Sequence, residues 1–166
     1  MALQDLNKIE MMLLLNVESL TILSSLYVRN YKDIPGTQLI NISSRGGYVI
    51  VPNAITYCAA KFYVSAFTEG LAHELKAEQA ELKAKLLAPA ATQTAFGKIA
   101  NDVLEYDYDK SFGRYHTNTQ VADFLMALYD SEHTVGAIDG ETFAFTLRTP
   151  VFDYAGGSLH NQKAVK

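Results

Sequence analysis

The strongest constraint on the fold is a long segment, from Ile55 to about Ala84, that shows a helical pattern. Near its start, the stretch TYCAAKFYVSAF places apolar or small side chains on almost every side of the helix. A helix that is apolar all round has to be covered on all sides. We therefore expect it to be packed within a domain or an interface. Two polar exceptions stand in this stretch, Tyr57 and Lys61, one helical turn apart.

Helical and extended patterns alternate along the rest of the chain. Apolar residues at helical spacing predict a helix from Asp5 to about Tyr31, and a shorter helix is predicted from Thr119 to about Ser131. The segments TQLINISS, KAKLLAPAAT and ETFAFTL are predicted to be buried strands. This alternation is typical of a three-layer α/β/α domain, in which helices flank a short parallel sheet.

The size and charge of the chain limit its class. A chain of 166 residues suits a single domain, which we assign to 1–155 with a flexible tail at 156–166. The net charge of −4 offers no basic surface for nucleic acid, and four scattered histidines with one cysteine predict no metal site. The N-terminal apolar run is predicted to be too short to span a membrane. The lone Cys58 fits a reducing cytoplasm, where we place the protein.

The polar pair on the long helix has a chemical interpretation. Ser44 ends a predicted strand, and a loop from the strand end to the helix start can bring it against Tyr57. An ammonium favours the phenolate of a tyrosine, whose free pKa is about 10, so Lys61 is expected to lower the pKa of Tyr57. Tyr57 would exchange a proton with a substrate oxygen held by Ser44. Ser43 is the alternative hydroxyl, but the spacing favours Ser44.

The spacing of tyrosine and lysine alone is a weak signal. Tyr106 and Lys110 show the same spacing in EYDYDK, where the neighbours are acidic and no strand end precedes them. We interpret that copy as chance. For Tyr57 and Lys61 the structural alternative is a packed helix face from which the lysine reaches solvent. The strand that ends at Ser44 favours the catalytic interpretation.

Four motifs, in order, resemble those of the classical short-chain dehydrogenases/reductases. NVESL is similar to the family's asparagine-containing helix, GTQLINISS to the strand that ends in the catalytic serine, and YCAAK to the tyrosine–lysine motif. APAATQTAF is similar to the segment that holds the nicotinamide. The resemblance runs from about Asn7 to Leu147. It implies a partial Rossmann-like fold and hydride transfer between NAD or NADP and a small carbonyl or alcohol substrate.

The resemblance also implies a role for each matched residue. Asn16 would relay a proton, and Lys61 would both tune Tyr57 and contact the cofactor ribose. Asn16 could instead face a buried water, and Thr94 could cap a short helix. The residues implied to be catalytic are Asn16, Ser44, Tyr57 and Lys61, and those implied to bind the cofactor are Tyr57, Lys61, Pro89, Ala90 and Thr94.

The sequence departs from the family at its start. The family's first strand, glycine-rich turn and helix cradle the cofactor phosphates, whereas the first 16 residues here contain no glycine. Ala90 also replaces the family's usual glycine. We therefore expect the C-terminal half of such an enzyme, with little or no activity and weak cofactor affinity by itself. The alternative is an inactive dimerisation or interaction module. A Ser44/Lys61 hydrolase is disfavoured because nothing marks an exposed nucleophile elbow.

Two surfaces are expected to need covering. In the resembled family the helices that correspond to about 5–31 and 55–84 pair across a two-fold axis, which implies a homodimer through them. The TQLINIS strand is predicted to have an unpaired edge. Several aromatic residues either line a substrate cleft or cover the core: Tyr48, Phe96, Tyr106, Tyr108, Phe112 and Tyr115.

Overall fold

A four-stranded sheet forms the centre of the protein. The computed structural model describes residues 5–155. The strands within that range are β1 Gln38–Ile42, β2 Lys83–Ala88, β3 Thr92–Gln93, β4 His116–Thr117, β5 Val135–Ile138 and β6 Phe145–Arg148. The central sheet has the order β1-β2-β5-β6, while β3 and β4 form a separate parallel pair. Strands β1, β2 and β5 are parallel to one another, and β6 is antiparallel to β5.

Helices lie on both faces of this sheet, as predicted. Their bounds are α1 Leu6–Leu13, a π-helical segment Leu14–Ser19, α2 Leu20–Tyr31, α3 Ile55–Ala77, α4 Phe96–Asn101, α5 Tyr108–Ser111 and α6 Asn118–Asp130. Two adjacent residues of β2 show the layering. Ala84 packs against Leu75 of α3, whereas the ammonium of Lys85 reaches the carbonyl of Leu128 in α6. Because neighbouring side chains of a strand point to opposite faces, α3 and α6 cover opposite sides of the sheet.

The end of the sheet differs from the sequence interpretation. Only one strand was predicted there, and β5 was missed because it is a run of four buried residues without alternation. Its Gly136 leaves room for the ring of Phe145 on β6, since a Cβ at this position would lie 2.9 Å from that ring. The connection 139–144 is too short for a crossover helix, so β6 runs antiparallel.

The N-terminal helix is exposed along much of its length. Helices α1 and α2 with the π-helical segment form one helix, Leu6–Tyr31, of 26 residues, which corrects the expectation of an apolar run too short to span a membrane. Only 6% of its most apolar window is buried. The same test of length and composition is met by the core helices of soluble proteins, which are mostly buried, and by signal sequences near an N-terminus. Some of its inward contacts are polar, since Thr21 bonds the Tyr63 hydroxyl at 2.6 Å and Ser24 accepts from Asn41 at 3.4 Å. Near its end, Tyr27 and Val28 pack against the hydrophobic cluster that contains Leu75.

The free edge predicted from the sequence is present. Within residues 5–155, β1 pairs with β2 on one side and with no strand on the other. Its position at the edge leaves backbone N–H and C=O groups available for another strand. The predicted tail, 156–166, lies outside the described residues.

Candidate active site

Two adjacent serines follow β1 and have different environments. Ser43 is buried, donates a hydrogen bond to the Lys61 carbonyl at 3.0 Å and bonds the Ser65 hydroxyl at 2.7 Å. Ser44 is half-buried, and its hydroxyl is hydrogen-bonded to Tyr57. The Ser44 oxygen also accepts from the Gly46 N–H at 3.1 Å. The alternation of side chains at the strand end therefore directs Ser43 into the core and Ser44 toward the tyrosine.

Tyr57 lies in the first turn of α3, next to the carboxyl end of β1. Burial raises the pKa of its phenol, and the hydrogen bond from Ser44 partly opposes this increase. The ring of Phe96 lies 6.1 Å from the Tyr57 ring, between centroids. Tyr57 is therefore a protonated phenol at neutral pH, partly enclosed by an apolar neighbour.

Lys61 lies one helical turn beyond Tyr57, as the spacing predicted. Its ammonium donates to the Ile42 carbonyl at 3.1 Å and lies 5.9 Å from the centroid of the Tyr57 ring. Burial lowers the pKa of Lys61. The expectation that this ammonium lowers the pKa of Tyr57 is wrong for the arrangement observed, because burial dominates and raises it.

Gly47 allows the turn after Ser44 to lie against α3, whereas a side chain at Gly46 would make only ordinary van der Waals contacts. The turn Arg45–Gly47 is a short 3-10 helix that Ser44 caps. A Cβ at Gly47 would lie 2.7 Å from the Lys61 carbonyl oxygen, which is closer than a real Cβ can approach. A Cβ at Gly46 would lie 3.4 Å from the Tyr57 ring. This role depends on contacts distant in sequence, so the pattern of the sequence does not reveal it.

Asn16 lies in the π-helical segment. Its amide donates to the Met12 carbonyl at 3.0 Å, and no described hydrogen bond joins it to Ser44, Tyr57 or Lys61. The wider turn of a π-helix leaves backbone carbonyls without their usual partners, and such segments occur frequently at functional sites. The role of Asn16 stays a prediction.

The segment after β2 lies beside the serine. Because β1 and β2 are parallel, their carboxyl ends meet, and the Arg45 N–H donates to the Pro89 carbonyl at 2.8 Å. The Ala90 carbonyl accepts from the Thr92 hydroxyl at 3.0 Å. Thr94 is exposed, and its hydroxyl accepts from the N–H of Phe96, the first residue of α4, at 3.2 Å. This bond fits the alternative role of Thr94 as a cap.

The aromatic residues divide into two groups. The buried Tyr108 accepts from the Gly97 N–H at 3.0 Å and donates to the Thr94 carbonyl at 3.2 Å, so it holds α4 in place beside Tyr57. Packed around Tyr108 are the rings of Tyr106, Phe112 and Tyr115. This cluster anchors α4, and Phe96 of that helix lies next to the Tyr57 ring. Tyr48 belongs to neither group and is bonded to Glu69.

Several residues that the family resemblance implies for cofactor binding lie at one edge of the sheet. Tyr57, Lys61 and the segment from Pro89 to Thr94 converge at the carboxyl edge of the parallel strands, where ligands of open α/β sheets bind. Residues 5–155 include no glycine-rich strand–turn–helix that could anchor the phosphates. The same range has no group of three acidic, histidine or cysteine side chains placed to hold a metal ion.

This chain is similar to known proteins in sequence and in fold. The family model described as short chain dehydrogenase matches residues 1–104. Human dehydrogenase/reductase SDR family member 11 is 33% identical over 73 residues, which are 43% of this chain and 28% of that protein. An uncharacterized oxidoreductase of Staphylococcus saprophyticus is 30% identical over 87 residues, 52% of this chain and 34% of that protein. The matched segment thus spans about a third of these curated relatives.

The solved structures agree on the fold. A short-chain dehydrogenase from Sphingobium yanoikuyae in complex with NADPH superposes with a TM-score of 0.68 at 23% identity, over 85% of this chain and 52% of that one. The protein is therefore an α/β protein of the Rossmann type. The chain belongs to the short-chain dehydrogenase family, whose members are oxidoreductases.

Proposed function

We propose that the protein takes part in hydride transfer between NAD or NADP and a carbonyl or alcohol. The observation that carries this proposal is the hydrogen bond between Ser44 and Tyr57 at the carboxyl end of β1. Lys61 lies one turn further along the same helix. A serine hydroxyl and a protonated phenol that face one point are suited to bind and protonate a single substrate oxygen.

The chain's own residues would move the proton. Tyr57 donates its phenolic proton to the carbonyl oxygen, and Ser44 donates a hydrogen bond to the same oxygen. The bound nicotinamide supplies the hydride to the carbonyl carbon. Lys61 would contact the ribose, with Pro89, Ala90 and Thr94 beside the nicotinamide. Asn16 would hold a water through which Tyr57 regains its proton.

An activity assay would test whether Tyr57 is the proton donor. Tyr57→Phe should abolish carbonyl-dependent oxidation of NADPH or NADH in any active preparation, because the ring stays and the acid is lost. Tyr106→Phe is the matched control, since it removes a phenol from the second Tyr-x-x-x-Lys spacing and should leave turnover unchanged. Equal turnover in wild type and Tyr57→Phe would contradict the proposal.

The affinity of this chain for the cofactor is a separate question from its proposed chemistry. Phosphate groups bind best where backbone N–H groups converge at a glycine-rich helix start, and residues 5–155 include no such start. We infer weak binding by this chain alone, present as a C-terminal half. Calorimetric titration with NADH and NADPH should show no binding at micromolar concentrations. Micromolar affinity would contradict the inference.

The second candidate function is a dimerisation module, which the exposed apolar face of the N-terminal helix favours. On this face Leu15 is 59% exposed and Leu23 66% exposed, and Ile22 and Leu26 lie between and beside them. We propose a homodimer through the helices predicted at 5–31 and 55–84, which extend over Leu6–Tyr31 and Ile55–Ala77, because pairing two such faces removes apolar surface from water. Analytical ultracentrifugation should show a dimer at micromolar concentrations.

A charge on that face tests the homodimer. Leu23→Glu should shift the protein to monomer, while Leu104→Glu, a substitution at an exposed leucine far along the chain, should not. A wild-type monomer would contradict the proposal.

We also propose that the protein is cytoplasmic, with a small-molecule substrate and no nucleic-acid or membrane partner. The unpaired Cys58 fits a reducing compartment, and the net charge of −4 offers no basic surface for nucleic acid.

A further inference from the structure

Glu69 is a fully buried carboxylate that the proposed chemistry does not use. It lies on α3 and is 0% exposed. One carboxylate oxygen accepts a hydrogen bond from the Tyr48 hydroxyl. The other accepts from the backbone N–H groups of Val151 at 2.6 Å and Phe152 at 2.9 Å. A buried carboxylate is tolerated when hydrogen bonds satisfy it, and these three donors do so.

These bonds join the segment after β6 to the turn after Ser44. Tyr48 directly follows that turn, and its N–H donates to the Arg45 carbonyl at 3.0 Å. The Tyr48 ring stacks on Phe152, with centroids 5.6 Å apart. Glu69 is therefore the point at which α3, the turn and the C-terminal segment meet.

From Tyr48, hydrogen bonds continue along α3 to the backbone of Lys61. Because the Tyr48 proton goes to Glu69, Ser65 donates to the Tyr48 oxygen. Ser65 then accepts from Ser43 at 2.7 Å, and the single Ser43 proton is shared between Ser65 and the Lys61 carbonyl. Ser43 in turn reaches the Lys61 carbonyl at 3.0 Å. The Tyr48 hydroxyl is the donor to Glu69. Burial, together with Glu69, raises the pKa of Tyr48 and keeps this donor protonated.

We propose that Glu69 is a positioning residue: by joining the segment 149–153 to Tyr48, it holds the turn after Ser44 and thereby the Ser44 hydroxyl against Tyr57. The inference rests on the proposed function for its catalytic meaning. Its structural consequence can be measured without turnover.

Two substitutions separate the parts of this network. Glu69→Leu removes the acceptor and leaves the Tyr48 hydroxyl and two N–H groups without it. Tyr48→Phe removes one hydroxyl and leaves the bonds from Glu69 to the segment 149–153 intact. Glu69→Gln is the conservative variant, because its oxygen can accept the two N–H bonds while its NH₂ donates to a Tyr48 hydroxyl that now donates to Ser65.

The readouts are amide hydrogen exchange and the NMR titration of ¹³Cζ-labelled Tyr57 in the full chain. In Glu69→Leu, exchange should accelerate about ten- to a hundredfold in both 149–153 and 43–48, because hydrogen bonds to charged groups contribute about 1.5–3 kcal/mol. The Tyr57 titration should move to higher pH as the Ser44 bond weakens. In Tyr48→Phe the effect should appear in 43–48 and at Tyr57, with 149–153 still protected. Glu69→Gln should restore most of the protection.

One result would overturn the proposal. If Glu69→Leu loosens 149–153 while the exchange of 43–48 and the Tyr57 titration stay as in wild type, Glu69 only anchors the C-terminal segment. These readouts decide the positioning role even if the chain alone has no dehydrogenase activity, whereas the proposed function is tested separately by Tyr57→Phe in an active preparation. In an active preparation Tyr48→Phe should lower kcat more than it changes KM.

Discussion

The Ser44 hydroxyl is hydrogen-bonded to the phenol of Tyr57, and this bond is the principal interaction that opposes the rise in the pKa of Tyr57. Ser44→Ala should therefore raise that pKa further, as measured by NMR of ¹³Cζ-labelled tyrosine. The exposed Ser25→Ala, whose hydroxyl bonds only its own helix, is the control. A lower Tyr57 pKa in Ser44→Ala would contradict this account.

The raised pKa of Tyr57 also has a consequence for stability. The folded protein holds this proton more tightly than the unfolded chain, whose tyrosine pKa is about 10. The stabilisation is fully present below that pH and is lost as the pH rises through the folded pKa. Denaturation at pH 9 to 12 should show a steeper alkaline loss for wild type than for Tyr57→Phe, and parallel curves would count against a raised pKa.

Gly47 should not tolerate a side chain. Its Cβ would lie 2.5 Å from the Ser65 hydroxyl and 2.7 Å from the Lys61 carbonyl, so Gly47→Ala should lower the free energy of unfolding by about 1–3 kcal/mol. Gly70→Ala is the matched control, because a Cβ there meets nothing within 4 Å on helix α3. It should instead stabilise by about 0.5–1 kcal/mol. Urea denaturation measures both, and equal effects would refute the close approach.

Lys85 should contribute to stability through the end of α6. Its ammonium is buried and donates to the carbonyls of Leu128, Tyr129 and Ser131 at 2.5–2.9 Å. Lys85→Met should lower the free energy of unfolding by about 1–3 kcal/mol, because the helix-end carbonyls lose their donor.

The neighbouring Lys83 offers the control for this prediction. Lys83 is half-exposed and paired with the exposed Glu132 at 2.6 Å. An exposed pair contributes only about 0–1 kcal/mol, so Lys83→Met should have a small effect on urea denaturation. A larger effect at Lys83 than at Lys85 would show that the buried lysine is not the stabilising one.

His116 should make the protein sensitive to acid. It is buried, stacked on Phe143 with centroids 4.5 Å apart, and burial lowers its pKa. The unfolded chain, with a histidine pKa of about 6.5, then binds a proton at a pH at which the folded protein does not. Stability should fall as the pH drops below about 6.5.

His116→Phe keeps an aromatic ring against Phe143 and should flatten the acid loss between pH 5 and 6.5. His133→Gln, which removes an exposed histidine, should retain it. Thermal denaturation across this range is the measurement. An unchanged slope in His116→Phe would mean that another group titrates.

Local patterns in the sequence were sufficient for part of this structure. Ser44, Tyr57 and Lys61 were predicted together because a strand end, a loop and a helix start fix their proximity. The roles of Glu69 and Lys85 were missed because charged residues are usually exposed, and the sequence alone does not show that these two are buried. Their burial depends on donors and acceptors at least 21 residues away. The pKa direction of Tyr57 was also wrong, since burial is set by packing and cannot be read from the spacing of two residues.

The π-helical segment Leu14–Ser19 amounts to one residue more than a regular α-helix would need. Deleting a single residue there would restore a regular helix without breaking the chain. The part that precedes the deletion, Leu6–Leu13, would then turn by about 100° relative to α2. The apolar residues of the two halves would no longer share one stripe. A one-residue deletion would thus change which side chains this helix offers to a partner.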